Sequence, residues 1–153
     1  MIRTKIKKGL KNNAIVIVSG YFNPLHSGHI DYLREAKKLG RKLIVIVNND
    51  EQVKLKGSKP FMTEKERLKI IMAIRYVDVA FISPDKDKSS KQGIIAAKKI
   101  IPKEAPIVFV NGGDRTAENV LEIDLCKELG IEMAYGVGGD KKQSSSNLLK
   151  RWI

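Results

Sequence analysis

A chain of 153 residues is long enough to bury one core and short for two. Its 29 lysines and arginines against 17 acidic residues leave a net charge of +12, which points to anionic partners. Cys126 is the only cysteine, which excludes a disulfide framework within the chain and a cysteine-rich metal site, and suits a reducing cytoplasm. No apolar run approaches the roughly 20 residues needed to span a bilayer, and the basic start lacks the apolar stretch of a signal peptide. Residues 1–12 read as a basic, solvated arm, with five cationic side chains and no acid among the first eleven. Residues 13–153 read as one domain.

Apolar, β-branched runs predict strands over 14–20, 42–48, 77–82, 106–111 and 131–137. Helical spacing predicts helices over 28–39, 63–75, 90–101, 117–129 and 145–153. Strands apolar on both faces suit a parallel sheet covered by helices. The expectation is an α/β domain: a Rossmann-like, doubly wound, five-stranded parallel sheet with helices on both faces.

The first strand runs into Gly20-Tyr-Phe-Asn-Pro-Leu-His-Ser-Gly-His29, which opens a helix carrying Ile30, Leu33, Ala36 and Leu39 at helical spacing. His26 and His29, the only histidines in the chain, therefore sit at the carboxyl end of a strand and the start of a helix. Ligands bind at such a place in open α/β sheets, and the free N–H groups of the helix suit a phosphate. Gly28 allows close backbone approach, and Pro24 biases Asn23 toward an extended conformation. The second strand ends at Asn48-Asn49-Asp50, and the next loop holds Lys54, Lys56, Gly57 and Lys59. Thr63-Glu-Lys-Glu66 has the form of a capping box, with Thr63 as N-cap and Glu66 reaching back. Ser83–Ser90 is a polar loop entering a helix that Pro102 ends.

The fourth strand runs into Asn111-Gly112-Gly113-Asp114-Arg115. Two glycines there permit close approach of a flat or charged ligand, and an aspartate could hold ribose hydroxyls, although a plain turn has the same composition. The last strand leads to Asp140-Lys141-Lys142-Gln143-Ser144-Ser145-Ser146 and a terminal helix. Serines at a helix start cap it, and can also donate to phosphate oxygens.

The run Gly20-x-Phe22-Asn23-Pro24-x-His26-x-Gly28-His29 resembles the signature of the HxGH-motif, cytidylyltransferase-like nucleotidyltransferase superfamily. That superfamily includes glycerol-3-phosphate cytidylyltransferase, heptose-phosphate adenylyltransferase and the nicotinate-mononucleotide adenylyltransferases. Asp50, Lys56 and Arg67 match its pattern after the second strand, Gly112-Gly113-Asp114 its pattern after the fourth, and Ser144-Ser145-Ser146 its final serine or threonine group. The likeness covers roughly residues 14–150. The run 47–57 is similar to the heptose-phosphate adenylyltransferases, and Ile74–Asp78 to glycerol-3-phosphate cytidylyltransferase.

The resemblance implies transfer of a CMP or AMP group from CTP or ATP to a phosphorylated small acceptor, with glycerol-3-phosphate cytidylyltransferase as the nearer likeness and heptose-phosphate adenylyltransferase as the alternative. It implies catalytic roles for His26, His29 and Lys56. Nucleotide contacts would come from Tyr21, Phe22, Asn23, Gly28, Arg67, Gly112, Gly113, Asp114, Ser144, Ser145 and Ser146. Mg²⁺ would be held mainly through the NTP phosphates, with no metal site of the protein's own, and small relatives are commonly homodimers. Lys141 and Lys142 stand close to where relatives carry an arginine. A rival class, a basic nucleic-acid-binding module without turnover, is weakened by lysines spread along the chain and few aromatics.

Overall fold

A computed structural model describes residues 3–4, 13–112 and 120–138. Among them, in chain order, are β1 (Arg3–Thr4), β2 (Ile15–Gly20), α1 (Ser27–Lys37), β3 (Lys42–Val47), α2 (Asp50–Leu55), α3 (Glu64–Met72), β4 (Val79–Ile82), α4 (Lys91–Ile100), β5 (Ile107–Gly112), α5 (Ile123–Leu129) and β6 (Glu132–Val137). The helix expected over 145–153, and residues 117–119 of the fourth one, lie outside the described residues.

The period-two alternation of the strands divides the core. Val16 and Val18 of β2, with Leu43, Val45 and Val47 of β3, face one side and meet Leu33 and Ala36 of α1 and Ile71 of α3. Ile15 and Ile17, with Ile44, Ile46 and Phe109, face the other and meet Ile94 and Ala97 of α4 and Cys126 of α5. Both faces of a central strand are thus buried, as a parallel sheet sandwiched by helices requires.

The strand order is β1-β6-β5-β2-β3-β4. β2 pairs in parallel with both β3 and β5, β3 with β4 and β5 with β6. The five parallel strands agree with the expectation from sequence. The sheet has one strand more, because β1 adds antiparallel to β6 through Arg3↔Tyr135 and Thr4↔Ala134. Chain direction across the sheet reverses beside β2: β3 and β4 lie on one side, β5 and β6 on the other. The carboxyl ends of β2 and β5 therefore flank the topological switch point, where open sheets of this kind bind ligands.

Candidate active site

The histidine pair builds the N-terminus of α1. His26 is the N-cap, with φ −141° and ψ 175°, and its Nδ1 accepts the Gly28 N–H at 3.1 Å. His29, three residues on, accepts the His26 N–H on its own Nδ1 at 3.1 Å. The two histidines thus form a reciprocal capping box, a motif usually built from a hydroxyl and a glutamate. A nitrogen that accepts an N–H carries no hydrogen, so this arrangement puts the ring hydrogen of both imidazoles on Nε2. The rings stack face to face, with centroids 3.9 Å apart and planes 28° apart.

Their neighbours fix them. Phe22 is buried, takes a left-handed φ of 51°, and meets the His29 ring edge-on at 5.0 Å. A Cβ at Gly20 would stand 2.6 Å from the Phe22 ring. A Cβ at Gly28 would stand 2.9 Å from His26 Cε1. The sequence suggested that Gly28 makes room for a ligand. In the structure the His26 ring fills the space a side chain at Gly28 would take, and the Gly28 N–H serves the cap.

The loop after β3 reaches the same rim. Lys56 closes α2, a short helix that the sequence pattern did not predict. Its ammonium lies over the Tyr21 ring, 4.3 Å from the centroid. Tyr21 adjoins Phe22, which packs on His29, so Lys56 and the imidazoles share one rim. Lys54 instead pairs with Glu51 along the helix surface at 3.0 Å.

Arg67 sits beneath this rim rather than on it. Only 1% of it is exposed, and it donates to Met62 O at 3.1 Å, Tyr21 O at 2.8 Å, Asn48 O at 2.6 Å and Asp50 Oδ1 at 2.7 Å. The guanidinium therefore ties the loop after β2 to the loop after β3. This placement departs from the nucleotide contact the resemblance implies. The planar fork of donors suits such multiple bonding. Asn23 is likewise buried, and its side chain bonds to the backbone of residues 59, 61 and 62. The Asn23–Pro24 peptide is cis.

At the end of β5, a Cβ on Gly112 would stand 2.7 Å from the Tyr32 ring, whose hydroxyl donates to Val110 O at 2.9 Å. Tyr32 thus occupies the space a side chain at Gly112 would take. Gly113, Asp114, Ser144, Ser145 and Ser146 lie outside the described residues, as do Lys141 and Lys142.

Sequence reasoning missed a second capping box, Asn49 with Gln52. Gln52 is fully buried and donates to Asp87 O at 2.7 Å and Ser89 O at 2.9 Å, while Asn49 donates to Ser83 O and Asp85 O. These bonds tie the loop after β3 to the loop after β4. In that second loop the Ser89 hydroxyl and N–H hold the Asp87 carboxyl below the usual carboxylate range. Asn49 three residues before Gln52 was the available signal. At α3, Thr63 accepts the Glu66 N–H at 3.3 Å as expected, but the reciprocal bond from Glu66 is absent among the described residues. Glu64 instead reaches across to accept the Asp50 N–H at 3.0 Å.

Among the described residues no three histidine, cysteine or acidic side chains group to hold a metal ion, and no helix is long and apolar enough to cross a membrane. Burial, and secondarily Glu122, pushes the Cys126 thiol up to about 12, which makes it inert.

Comparisons with known proteins bear on the family and the fold. The cytidylyltransferase-like family profile matches residues 17–140. The protein called bifunctional protein HldE from Syntrophotalea carbinolica is 32% identical over 145 residues, which is 92% of this chain and 27% of that protein. Its counterpart from Hydrogenovibrio crunogenus is 35% identical over 126 residues, 81% of this chain and 24% of that one. The chain thus spans about a quarter of the length of these curated relatives. Among solved structures, a lipopolysaccharide core biosynthesis protein from Thermoplasma volcanium superposes with a TM-score of 0.63 at 25% identity, covering 84% of this chain and 98% of that one. A bifunctional NMN adenylyltransferase/ADP ribose pyrophosphatase from Francisella tularensis shares the fold, with a TM-score of 0.64 at 14% identity over 92% of this chain and 42% of that one.

Proposed function

The chain belongs to the cytidylyltransferase-like family, and on that premise we propose that it is a nucleotidyltransferase that moves CMP or AMP from CTP or ATP to a phosphorylated polyol or sugar, releasing pyrophosphate. The observation that carries this is the double imidazole cap, two stacked rings at the switch point whose Nδ1 atoms are both taken by backbone N–H groups. An oxygen of the acceptor phosphate attacks the α-phosphorus of the NTP. The bond from that phosphorus to the bridging oxygen breaks, and pyrophosphate leaves with the electron pair. The acceptor phosphate is already anionic at neutral pH, so no general base is needed. Catalysis rests on in-line placement and on donors aimed at developing charge. His26 and His29 donate to phosphate oxygens, and Lys56 neutralises charge beside them.

The residues that meet the phosphates on this rim are donors, and the nearby carboxylate, Asp50, already accepts from Arg67. That donor set fits Mg²⁺ carried on the triphosphate oxygens, with most of its waters kept. When bound there it offsets charge on the leaving group. The one buried thiol suits a reducing cytoplasm.

A second reading, ATP with a heptose phosphate, is favoured by the run 47–57 and by the Thermoplasma volcanium neighbour, a lipopolysaccharide core biosynthesis protein. Pyrophosphate release with each NTP and Mg²⁺, against a panel of phosphorylated polyols and sugars, tests the proposal and separates the readings. Release with no NTP and acceptor pair would overturn it. The proposed assembly is a homodimer, and sedimentation equilibrium tests it.

A further inference from the structure

The segment from Lys56 to Met62 crosses the mouth of the histidine loop without regular structure, and its attachments are specific. Gly57 takes φ +90°, a turn conformation that a side chain would strain. The Ser58 N–H returns to Val53 O at 3.1 Å, which anchors one end. Arg67 grips the other end through Met62 O and holds the histidine loop through Tyr21 O. Between these points the segment meets two side chains of the histidine loop, Tyr21 and Asn23.

Asn23 uses both ends of its amide. Its Nδ2 donates to Lys59 O at 2.8 Å, and its Oδ1 accepts the Phe61 N–H at 2.6 Å and the Met62 N–H at 3.4 Å. A carbonyl can only accept and a backbone N–H can only donate, so the partners fix the orientation of the amide. A carboxylate would retain the contacts to the N–H groups, but would set an anionic oxygen against Lys59 O. Tyr21 acts on the side chain of Lys56. A lysine has four rotatable bonds and disperses its charge over many positions unless something holds it. The face of the Tyr21 ring attracts the ammonium through its quadrupole.

We propose that Tyr21 and Asn23 are positioning residues that clamp the segment Lys56–Met62 onto the histidine loop, so that Lys56 stands beside His26 and His29, and that the clamp requires an amide at position 23. The function of the clamp rests on the nucleotidyl-transfer reading. Its existence does not, and the two are tested by separate readouts.

Trypsin cleavage between Lys56 and Gly57 of the folded protein reports release of the segment and involves no substrate. Steady-state pyrophosphate release reports placement of Lys56. An unmet acceptor at position 59 makes Asn23→Asp cleave and lose kcat by about tenfold or more. Tyr21→Leu shifts both by about threefold, the scale of a half-exposed cation–π contact, and Tyr21→Phe, which keeps the ring face, restores them. The losses fall on kcat rather than on KM for the NTP, because a displaced Lys56 weakens the transition state more than the bound substrate. The Tyr21 pair decides the matter should Asn23→Asp unfold. Wild-type cleavage in both Asn23→Asp and Tyr21→Leu overturns the clamp. So does a Tyr21→Phe protein as impaired as Tyr21→Leu. Faster cleavage with unchanged kcat overturns the role assigned to Lys56 while leaving nucleotidyl transfer intact.

Discussion

Replacing Arg67 with methionine distinguishes a buried strut from a nucleotide ligand. Methionine approximates the length of the arginine stem but has no donor. The change leaves Met62 O, Tyr21 O, Asn48 O and the Asp50 carboxylate without the partner they share. Removing one partner of a buried ion pair costs about 3–5 kcal/mol. Asp50 retains 27% of its side-chain exposure and can be rehydrated, whereas the bond to Asn48 O is wholly buried, so the lower end of that range applies. A loss of about 3 kcal/mol in a domain of this size lowers Tm by roughly 6–12 °C. Arg67→Lys recovers only part of it, because one ammonium cannot span acceptors on two loops as the planar fork does. Urea unfolding of the three proteins, with matched m-values, measures the difference. If Arg67→Met matches the wild type in stability and only raises KM for the NTP, the arginine is a ligand and the strut assignment fails.

The two roles of His26 separate in His26→Asn: asparagine caps a helix well but lacks the Nε2–H, so stability holds within about 1 kcal/mol while turnover falls by about a hundredfold or more, the scale of one lost transition-state donor. Comparable activity in His26→Asn and wild type would remove that imidazole from the chemistry. Asp78 lies at the opposite, amino edge of the sheet; burial works against its ionisation, but Lys37, the Leu43 N–H and Lys42 outweigh it and hold the carboxyl below its ordinary value of 3.8. A depressed carboxylate stabilises the fold above its unfolded value and loses that contribution as pH falls through the folded one. The stability gap between wild type and Asp78→Asn therefore stays level from pH 7 to about 5 and closes in more acid solution, as urea melts across pH will show. Cys126, with its thiol pushed up to about 12, should react with a thiol reagent at neutral pH only after denaturant is added; rapid labelling of the native protein would contradict its burial.

Much of the fold could be read directly, because hydrophobic periodicity is a local signal and the parallel strands are apolar on both faces. Ile15, Val16, Ile17 and Val18 announce a buried strand without reference to anything distant. The edge strand Arg3–Thr4 could not be found this way: two polar residues form it by pairing with β6, more than a hundred residues later. Helix α2 was missed because the six residues after Asn49 read as part of a polar loop, and its stability comes from the Asn49–Gln52 cap and from Gln52 bonding to a loop after β4. At the site, the spacing of His26 and His29 identified the pair, but not that each Nδ1 is occupied by a backbone N–H. Arg67 was found by its place in a pattern, and its burial was invisible, since a charge four residues after a cap looks like a solvated one.

The buried polar side chains share a location that explains their number. Asn23, Asn48, Gln52, Arg67, Ser83, Asp85, Ser89, Ser90 and Glu122 all lie in loops or helix starts at the carboxyl edge of the sheet. Each bonds to a neighbouring loop or closes its own: Asp85 accepts from Gln92 and Gly93 at the start of α4, and Glu122 accepts the Ser90 N–H at 2.8 Å. Apolar packing is non-directional and would hold these loops together without fixing their orientation. Hydrogen bonds to backbone groups fix direction as well as distance, and burial away from water makes a misplaced partner costly. Transfer of a phosphoryl-linked group needs donors held to within a fraction of an ångström, since a displacement of about 1 Å can cost a hundredfold in rate. The amino edge, which carries no comparable network among the described residues, needs only to be stable. Concentrating directional bonds on one rim is how this fold converts a generic parallel sheet into a site with defined geometry.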